Sequence, residues 1–227
     1  MKYYFSILLF TFFSVLVLAQ GATVPYSRDY AFKEGVYITA SQFENNAPVL
    51  KSAIISNVAQ NRVDFIGEVM KQKDLVYIDS TGKEQRIAIE NIWGYSQNKI
   101  IYIYCNKKFV RMNTIGTLCQ YTGSVTTTIS NPNPMYPGFG NPMSMGYPGG
   151  YPGYGGTSTF EELRQFIFDT KTNQVFEFKP EALEQLLMDD SELYKEFSEL
   201  KRRKKSEMMF VYLRKYNDRH PLLLPLQ

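Results

Sequence analysis

The sequence predicts an α+β fold, in which an antiparallel β meander, able to curl into a small barrel, is followed by C-terminal helices. Two observations predict the sheet: short stretches between residues 74 and 112 alternate apolar and polar side chains, and turn-forming residues separate them at regular intervals. A third predicts the helices, because leucines after Pro180 recur at the spacing of an amphipathic helix.

A short strand and a short helix precede the meander. Residues 35–38 form the strand, and Thr39 and Gln42 have the form of a capping box, in which both side chains accept hydrogen bonds from backbone N–H groups at a helix start. Pro48 ends the helix. The meander strands are then expected at residues 74–79, 86–89, 92–95, 100–105 and 109–112.

Residues 131–156 differ in composition from the rest of the chain. Pro, Gly, Tyr, Met and Asn dominate them, and Tyr-Pro-Gly occurs three times. Prolines and glycines at this density do not maintain a helix or a central strand, so we predict a disordered insertion between strands near residues 124–129 and 164–168. A flexible tether that contacts other surfaces is one hypothesis for its role.

The last part of the chain is predicted to form a hairpin of residues 165–168 and 175–178, followed by helices within residues 179–218. Pro180 suits the first position of a helix. The second helix begins after Asp190, with its apolar residues at helical spacing, and helical propensity resumes over residues 207–216.

Residues 1–19 are predicted to be a secretory signal peptide. Lys2 precedes an apolar run that ends in small residues, and Ala19 and Gln20 flank the expected cleavage site. An uncleaved anchor is the alternative, but it needs roughly 20 apolar residues and stronger flanking charge. The first cysteine is Cys105, so a lipid anchor at the new N-terminus is not expected. We therefore predict a periplasmic or secreted protein whose mature chain does not span a membrane.

The predicted organisation is a leader over residues 20–30 and a single α+β domain over residues 31–222. The chain has 25 basic and 22 acidic residues, a balance that argues against a nucleic-acid partner. His220 is the only histidine, and the sequence contains no Cys-x-x-Cys, nucleophile elbow or glycine-rich phosphate loop. We therefore expect no cofactor and no metal, and favour a protein that is not an enzyme.

Paired carboxylates remain as a catalytic alternative, because glycoside hydrolysis needs only two acids at a set separation. The densest acidic cluster contains Asp189, Asp190 and Glu192. Since acidic side chains are stabilised at a helix start, the structural interpretation of this cluster is favoured.

Three further groups of residues are candidates for a site. Cys105 and Cys119 would be bridged only if the sheet curls strongly, and we favour two thiols because one strand is expected between them. Four aromatic residues could form a platform for sugar or peptide, although core packing is the favoured interpretation: Trp93, Tyr95, Tyr102 and Tyr104. The basic run over residues 201–205 could contact anionic envelope components, although a solvated helix surface is favoured; the candidate residues are Lys201, Arg202, Arg203 and Lys205.

The chain resembles a family of uncharacterised exported proteins of Bacteroidota, described as a domain of unknown function. The resemblance rests on residues 35–39 and 43–48, on Ile92-Trp93-Gly94-Tyr95 with residues 101–103, and on Leu186-Leu187, Asp190 and residues 192–194 with residues 215–222. It implies an envelope location and supplies no activity. We therefore predict an exported, non-catalytic envelope protein that binds another protein or a glycan. The alternative is a hydrolase of cell-surface polymers that uses paired carboxylates.

Overall fold

The computed structural model describes residues 22–130 and 157–226. The predicted signal peptide, its cleavage site and the insertion over residues 131–156 lie outside the described residues. Five helices are found in the described part of the chain: α1 (Ala40–Glu44), α2 (Phe65–Val69), α3 (Pro180–Leu186), α4 (Ser191–Ser198) and α5 (Arg202–Arg219).

The described strands are β1 (Thr23–Pro25), β2 (Gly35–Tyr37), β3 (Val49–Leu50), β4 (Ile54–Ile55), β5 (Asp74–Ile78), β6 (Glu84–Ala88), β7 (Gly94–Gln97), β8 (Ile100–Cys105), β9 (Lys108–Thr114), β10 (Leu118–Ser130), β11 (Thr157–Asp169), β12 (Gln174–Glu177) and β13 (Leu223–Pro225). Eight of them form a curled, half-barrel sheet in the order β12-β11-β10-β9-β8-β7-β2-β3. All neighbours in this sheet are antiparallel. The predicted α+β class is confirmed.

Apolar cores pack against both faces of the eight-stranded sheet, while the far end of the β10–β11 hairpin and Arg111 and Asn113 of β9 are exposed. Its inner face, together with α1 and the terminal strands, forms a core that includes Tyr37, Phe43, Ile101 and Phe168. The outer face carries two separate cores. At the β2-β7-β8 end it is covered by α2 and by the three-stranded sheet β4-β5-β6. At the β10-β11-β12 end it is covered by α3, α4 and α5.

The helix start at Thr39 agrees with the predicted capping box, with one difference. Thr39 Oγ1 accepts a hydrogen bond from the Gln42 N–H at 3.3 Å, as expected. Gln42 Oε1, however, accepts from the N–H of Ile38 at 2.6 Å, one residue before the cap. The side chains of Thr39 and Gln42 therefore accept hydrogen bonds from backbone N–H groups just after β2 as well as at the start of α1.

The chain ends differ from the sequence-based expectation. Residues 20–30 were expected to be a leader outside the domain, but β1 lies within them and pairs with β13, with Val24 opposite Leu224. The domain was also expected to end at residue 222, yet Leu224 in β13 is buried in the inner core. Three-residue strands are too short to show a periodic pattern, so their burial became evident only from the packing.

Two hairpins of the meander have the same turn. Asn98 and Lys99 connect β7 to β8, and Asn106 and Lys107 connect β8 to β9; all four residues have positive φ, between 49° and 68°. Such two-residue turns match the twist of antiparallel strands, and asparagine tolerates this conformation better than most residues.

Helix α5 is attached to the sheet by a clamp from one side chain. Asn217 Nδ2 donates to the carbonyl of Leu118 at 2.9 Å, and the Leu118 N–H donates to Asn217 Oδ1 at 2.9 Å. Gly116 makes room for the clamp, because a Cβ at that position would lie 2.4 Å from Asn217 Cγ. The side-chain amide of Asn217 thus pairs both backbone polar groups of Leu118, the first residue of β10.

We predict that Asn217→Ala lowers the free energy of unfolding by about 2–4 kcal/mol, because it leaves two backbone groups without partners at about 1–3 kcal/mol each. Urea denaturation measures the change. The control is Asn113→Ala, since the Asn113 amide bonds only to the side chains of Gln120 and Thr122. An equal loss of stability in the two variants would contradict the clamp.

Candidate functional site

A cleft of about 650 Å³ opens on the outer side of the sheet, between α2, the end of β6 and the β8–β9 hairpin. Its lining combines aromatic rings with basic side chains. The lining residues are Gly67, Met70, Lys71, Gln72, Lys73, Ala88, Ile89, Glu90, Tyr95, Tyr104, Lys107, Lys108 and Phe109.

The aromatic wall of the cleft is a connected stack of rings. Tyr95 stacks on Tyr102 with ring centroids 4.6 Å apart, and Phe109 meets Tyr95 edge-on at 5.2 Å. Tyr104 meets Phe109 edge-on at 5.1 Å. Burial raises the pKa of Tyr95 to about 12, so its hydroxyl stays neutral near pH 7. Because each ring is supported by its neighbours, the wall is held in place before any ligand arrives.

The charged side chains of the lining are four lysines and one carboxylate, Glu90. Lys71 pairs with Glu68 at 2.6 Å, and Lys108 pairs with Glu161 at 3.1 Å; neither of these glutamates lines the cleft. Within the described residues, Lys73 and Lys107 have no ion-pair partner. The cleft is therefore a basic site with an aromatic wall.

The structure brings together three of the four residues proposed as an aromatic platform. Tyr95 and Tyr104 line the cleft, and Tyr102 supports Tyr95 from behind. Trp93 lies elsewhere: it stacks on Phe43 at 4.6 Å and packs against the inner core. Its buried Nε1 has no hydrogen-bond partner among the described residues.

The sequence did not single out Phe109, Lys73 or Lys107 as parts of a site. The hairpin sequence contains a usable signal. Tyr104 and Phe109 are cross-strand partners on either side of a two-residue turn that ends in Lys107, so the sequence places two aromatic rings beside a lysine. No comparable signal connects this hairpin to Lys73, which reaches the cleft from the segment before β5.

The basic run does not form one surface. Lys205 turns back to Glu184 at 2.6 Å and lies over the Phe197 ring at 5.6 Å. Arg203 and Lys204 both pair with Glu207, at 3.2 and 3.4 Å. Lys201 and Arg202 are exposed at the start of α5. Most of the charge of the run is therefore used within the helical region.

The acidic cluster has structural partners. Asp190 is the N-cap of α4 and accepts from the Leu193 N–H at 3.0 Å, and His220 Nε2 lies 3.0 Å from its other oxygen. The Leu193 bond, more than the bonds from His220 and Arg219, lowers the pKa of Asp190. Its carboxylate is thus held ionised at a helix start.

Asp189 is also tied to neighbouring side chains. Its Oδ2 accepts from Lys171 Nζ at 2.6 Å and from the Tyr216 hydroxyl at 2.8 Å. Burial alone would raise the pKa of Asp189, but these hydrogen bonds outweigh it and lower the pKa. A general acid needs a raised pKa, so neither aspartate is tuned for that role.

The two cysteines are free thiols. Cys119 on β10 is fully buried and donates to the Gly116 carbonyl at 3.1 Å, and burial raises its pKa to about 12. Cys105 on β8 is half-buried, and burial raises its pKa as well. Strand β9 lies between the strands that carry them.

We predict that the unfolded, unreduced protein titrates two thiols. In the folded protein, Cys105 should react first and Cys119 at least about tenfold more slowly, because only the thiolate reacts and the buried group has the higher pKa. A Cys105→Ala variant assigns the faster phase. Absence of titratable thiols after unfolding would show a disulfide instead.

A model for a family of unknown function, DUF6563, matches residues 35–220. The matched residues include the cleft and the clamp. No curated protein and no solved structure matches the chain. Over residues 22–130 and 157–226, none of the helices has the length and apolar character needed to cross a bilayer. The same residues contain no group of three or more metal-ligating side chains.

Proposed function

The chain belongs to the DUF6563 family, and we propose that it is an exported, non-catalytic protein of the cell envelope that binds a glycan. The aromatic and basic cleft carries the proposal. Export is proposed from residues 1–19, with release into the periplasm or the medium after cleavage and without a lipid anchor. The resemblance to exported proteins of Bacteroidota supports the same location. It also supports Bacteroidota as the source of the chain.

The chemistry of the lining favours a sugar. Ligand sites combine apolar walls with a few polar groups that orient the ligand. The rings of Tyr104 and Phe109 offer apolar surface to the C–H groups of a sugar ring, while Lys73 and Lys107 offer donors for its hydroxyls. A protein partner is the other outcome, but large exposed apolar side chains such as Val63, Leu163 and Val175 lie outside the cleft.

The same lining supports binding without hydrolysis. Two-carboxylate hydrolysis needs two acids roughly 5–9 Å apart at the scissile bond. Among the described residues that line the cleft, Glu90 is the only carboxylate. Asp189 and Asp190, the acids considered for this chemistry, are engaged with the helices and do not line it.

We predict that Tyr104→Leu weakens glycan binding by about tenfold or more, equal to about 1.4 kcal/mol, since it removes an aromatic contact from the wall. Isothermal titration against purified envelope polysaccharides measures the affinity. The control is Tyr77→Leu, because Tyr77 is half-buried against the same outer core but does not line the cleft. The glycan affinity of Tyr77→Leu should stay within about twofold of that of the parent protein.

Three results would contradict the proposal. Tyr104→Leu could bind as tightly as the parent protein, the parent protein could release reducing ends from the polymer, or it could bind an envelope protein and no glycan. The second result would restore the hydrolase alternative, and the third would make the protein a protein-binding module.

A further inference from the structure

We propose that the glycan held by the cleft is anionic, and that Lys73 and Lys107, which come from two different elements of the lining, bind its charged groups. This inference rests on the proposed function and adds to it the chemical class of the ligand. The shared chemistry is a carboxylate, sulfate or phosphate group attached to a sugar.

Positive charge exceeds negative charge at the cleft. Its lining holds four lysines and one glutamate, a formal charge of +3. Glu68 and Glu161, which pair with Lys71 and Lys108 from outside the lining, reduce this excess to +1 for the cleft and its ion-pair partners together. An excess of one charge sign attracts ligands of the opposite sign.

Two of the four lysines are available for a ligand. Lys71 and Lys108 are each held by a glutamate outside the cleft. Lys73 and Lys107 have no such partner within residues 22–130 and 157–226, and both are exposed. An ammonium group without a carboxylate partner can bind an anion without first breaking an ion pair.

The two available lysines come from different elements. Lys73 directly precedes β5, and its carbonyl accepts from the Ile89 N–H at 3.1 Å, which fixes that backbone beside Glu90. Lys107 is in the β8–β9 turn. The aromatic wall lies with them in the same lining, so a sugar packed on Tyr104 and Phe109 has its substituents beside basic groups.

The chain offers a matched pair of substitutions. Lys107 and Lys99 occupy the same position in two Asn-Lys turns, both with positive φ, and only Lys107 lines the cleft. Asparagine is suited to this conformation, so Lys107→Asn and Lys99→Asn each remove one charge with little risk to folding. Thermal unfolding of the two variants checks this. Lys73→Gln, with Lys83→Gln as an exposed control outside the cleft, tests the second lysine.

The experiment is isothermal titration of the full mature chain with oligogalacturonate, dextran sulfate and phosphorylated dextran. Methyl-esterified oligogalacturonate and unmodified dextran are the neutral counterparts. We expect at least one anionic glycan to bind at least tenfold more tightly than its neutral counterpart, and the affinity to fall as salt is added. Which of the three binds best identifies the charged group.

We expect Lys107→Asn and Lys73→Gln each to weaken that binding severalfold and the double variant to weaken it more than tenfold. Lys99→Asn and Lys83→Gln should bind as the parent protein does. Equal binding of neutral and anionic forms would overturn the inference and leave the proposed function standing. Anionic binding unchanged in the double variant would also overturn it, because the ligand would lie elsewhere. If envelope polysaccharides and these probes all fail to bind, the proposed function fails together with the inference.

Discussion

Packing of apolar cores against both faces of the eight-stranded sheet is the constraint on which the rest of the structure depends. A strand that lies between two of these cores must present apolar side chains in both directions. In β8, Ile101 and Ile103 point to the inner core, while Tyr102 and Tyr104 point to the outer side. The outer face is covered by two separate cores, and the β8–β9 hairpin lies between them. The cleft opens there, where the cover provided by α2 and the small sheet ends.

The curl of the sheet also explains how the two ends of the chain are used. The inner core is closed by α1 and by residues near both termini, so β1 and β13 meet although they are separated by nearly the whole chain. On the outer side, Asn217 attaches α5 at the first residue of β10. The remaining charged residues of the helical region mostly pair with one another. Most charges of the densest acidic and basic segments are therefore engaged in ion pairs or a helix cap, and the smaller group of lysines at the cleft is the candidate site.

The sequence predicted those elements that carry their own local signal. Strand β8 was placed at its observed limits because its alternation is complete, and α1 was placed by Thr39 and Gln42. Helix α2 and the two-residue strands β3 and β4 were missed, since segments so short show no periodicity. The cleft could not be assembled from sequence, because its parts lie at residues 67–73, 88–90 and 104–109 and meet only through the packing of the small sheet against β7 and β8. Trp93 was grouped with the tyrosines by its spacing, but the chain before β7 directs it to the inner core.

The central claim is that the cleft, and not the basic run of α5, is where this protein binds its ligand. The most direct measurement is a titration of the isotope-labelled mature chain with an anionic oligosaccharide, followed residue by residue through backbone amide chemical shifts. The account predicts that the shifts concentrate at residues 67–73, 88–90 and 104–109. Shifts concentrated at residues 201–205, or spread evenly over the surface, would contradict it.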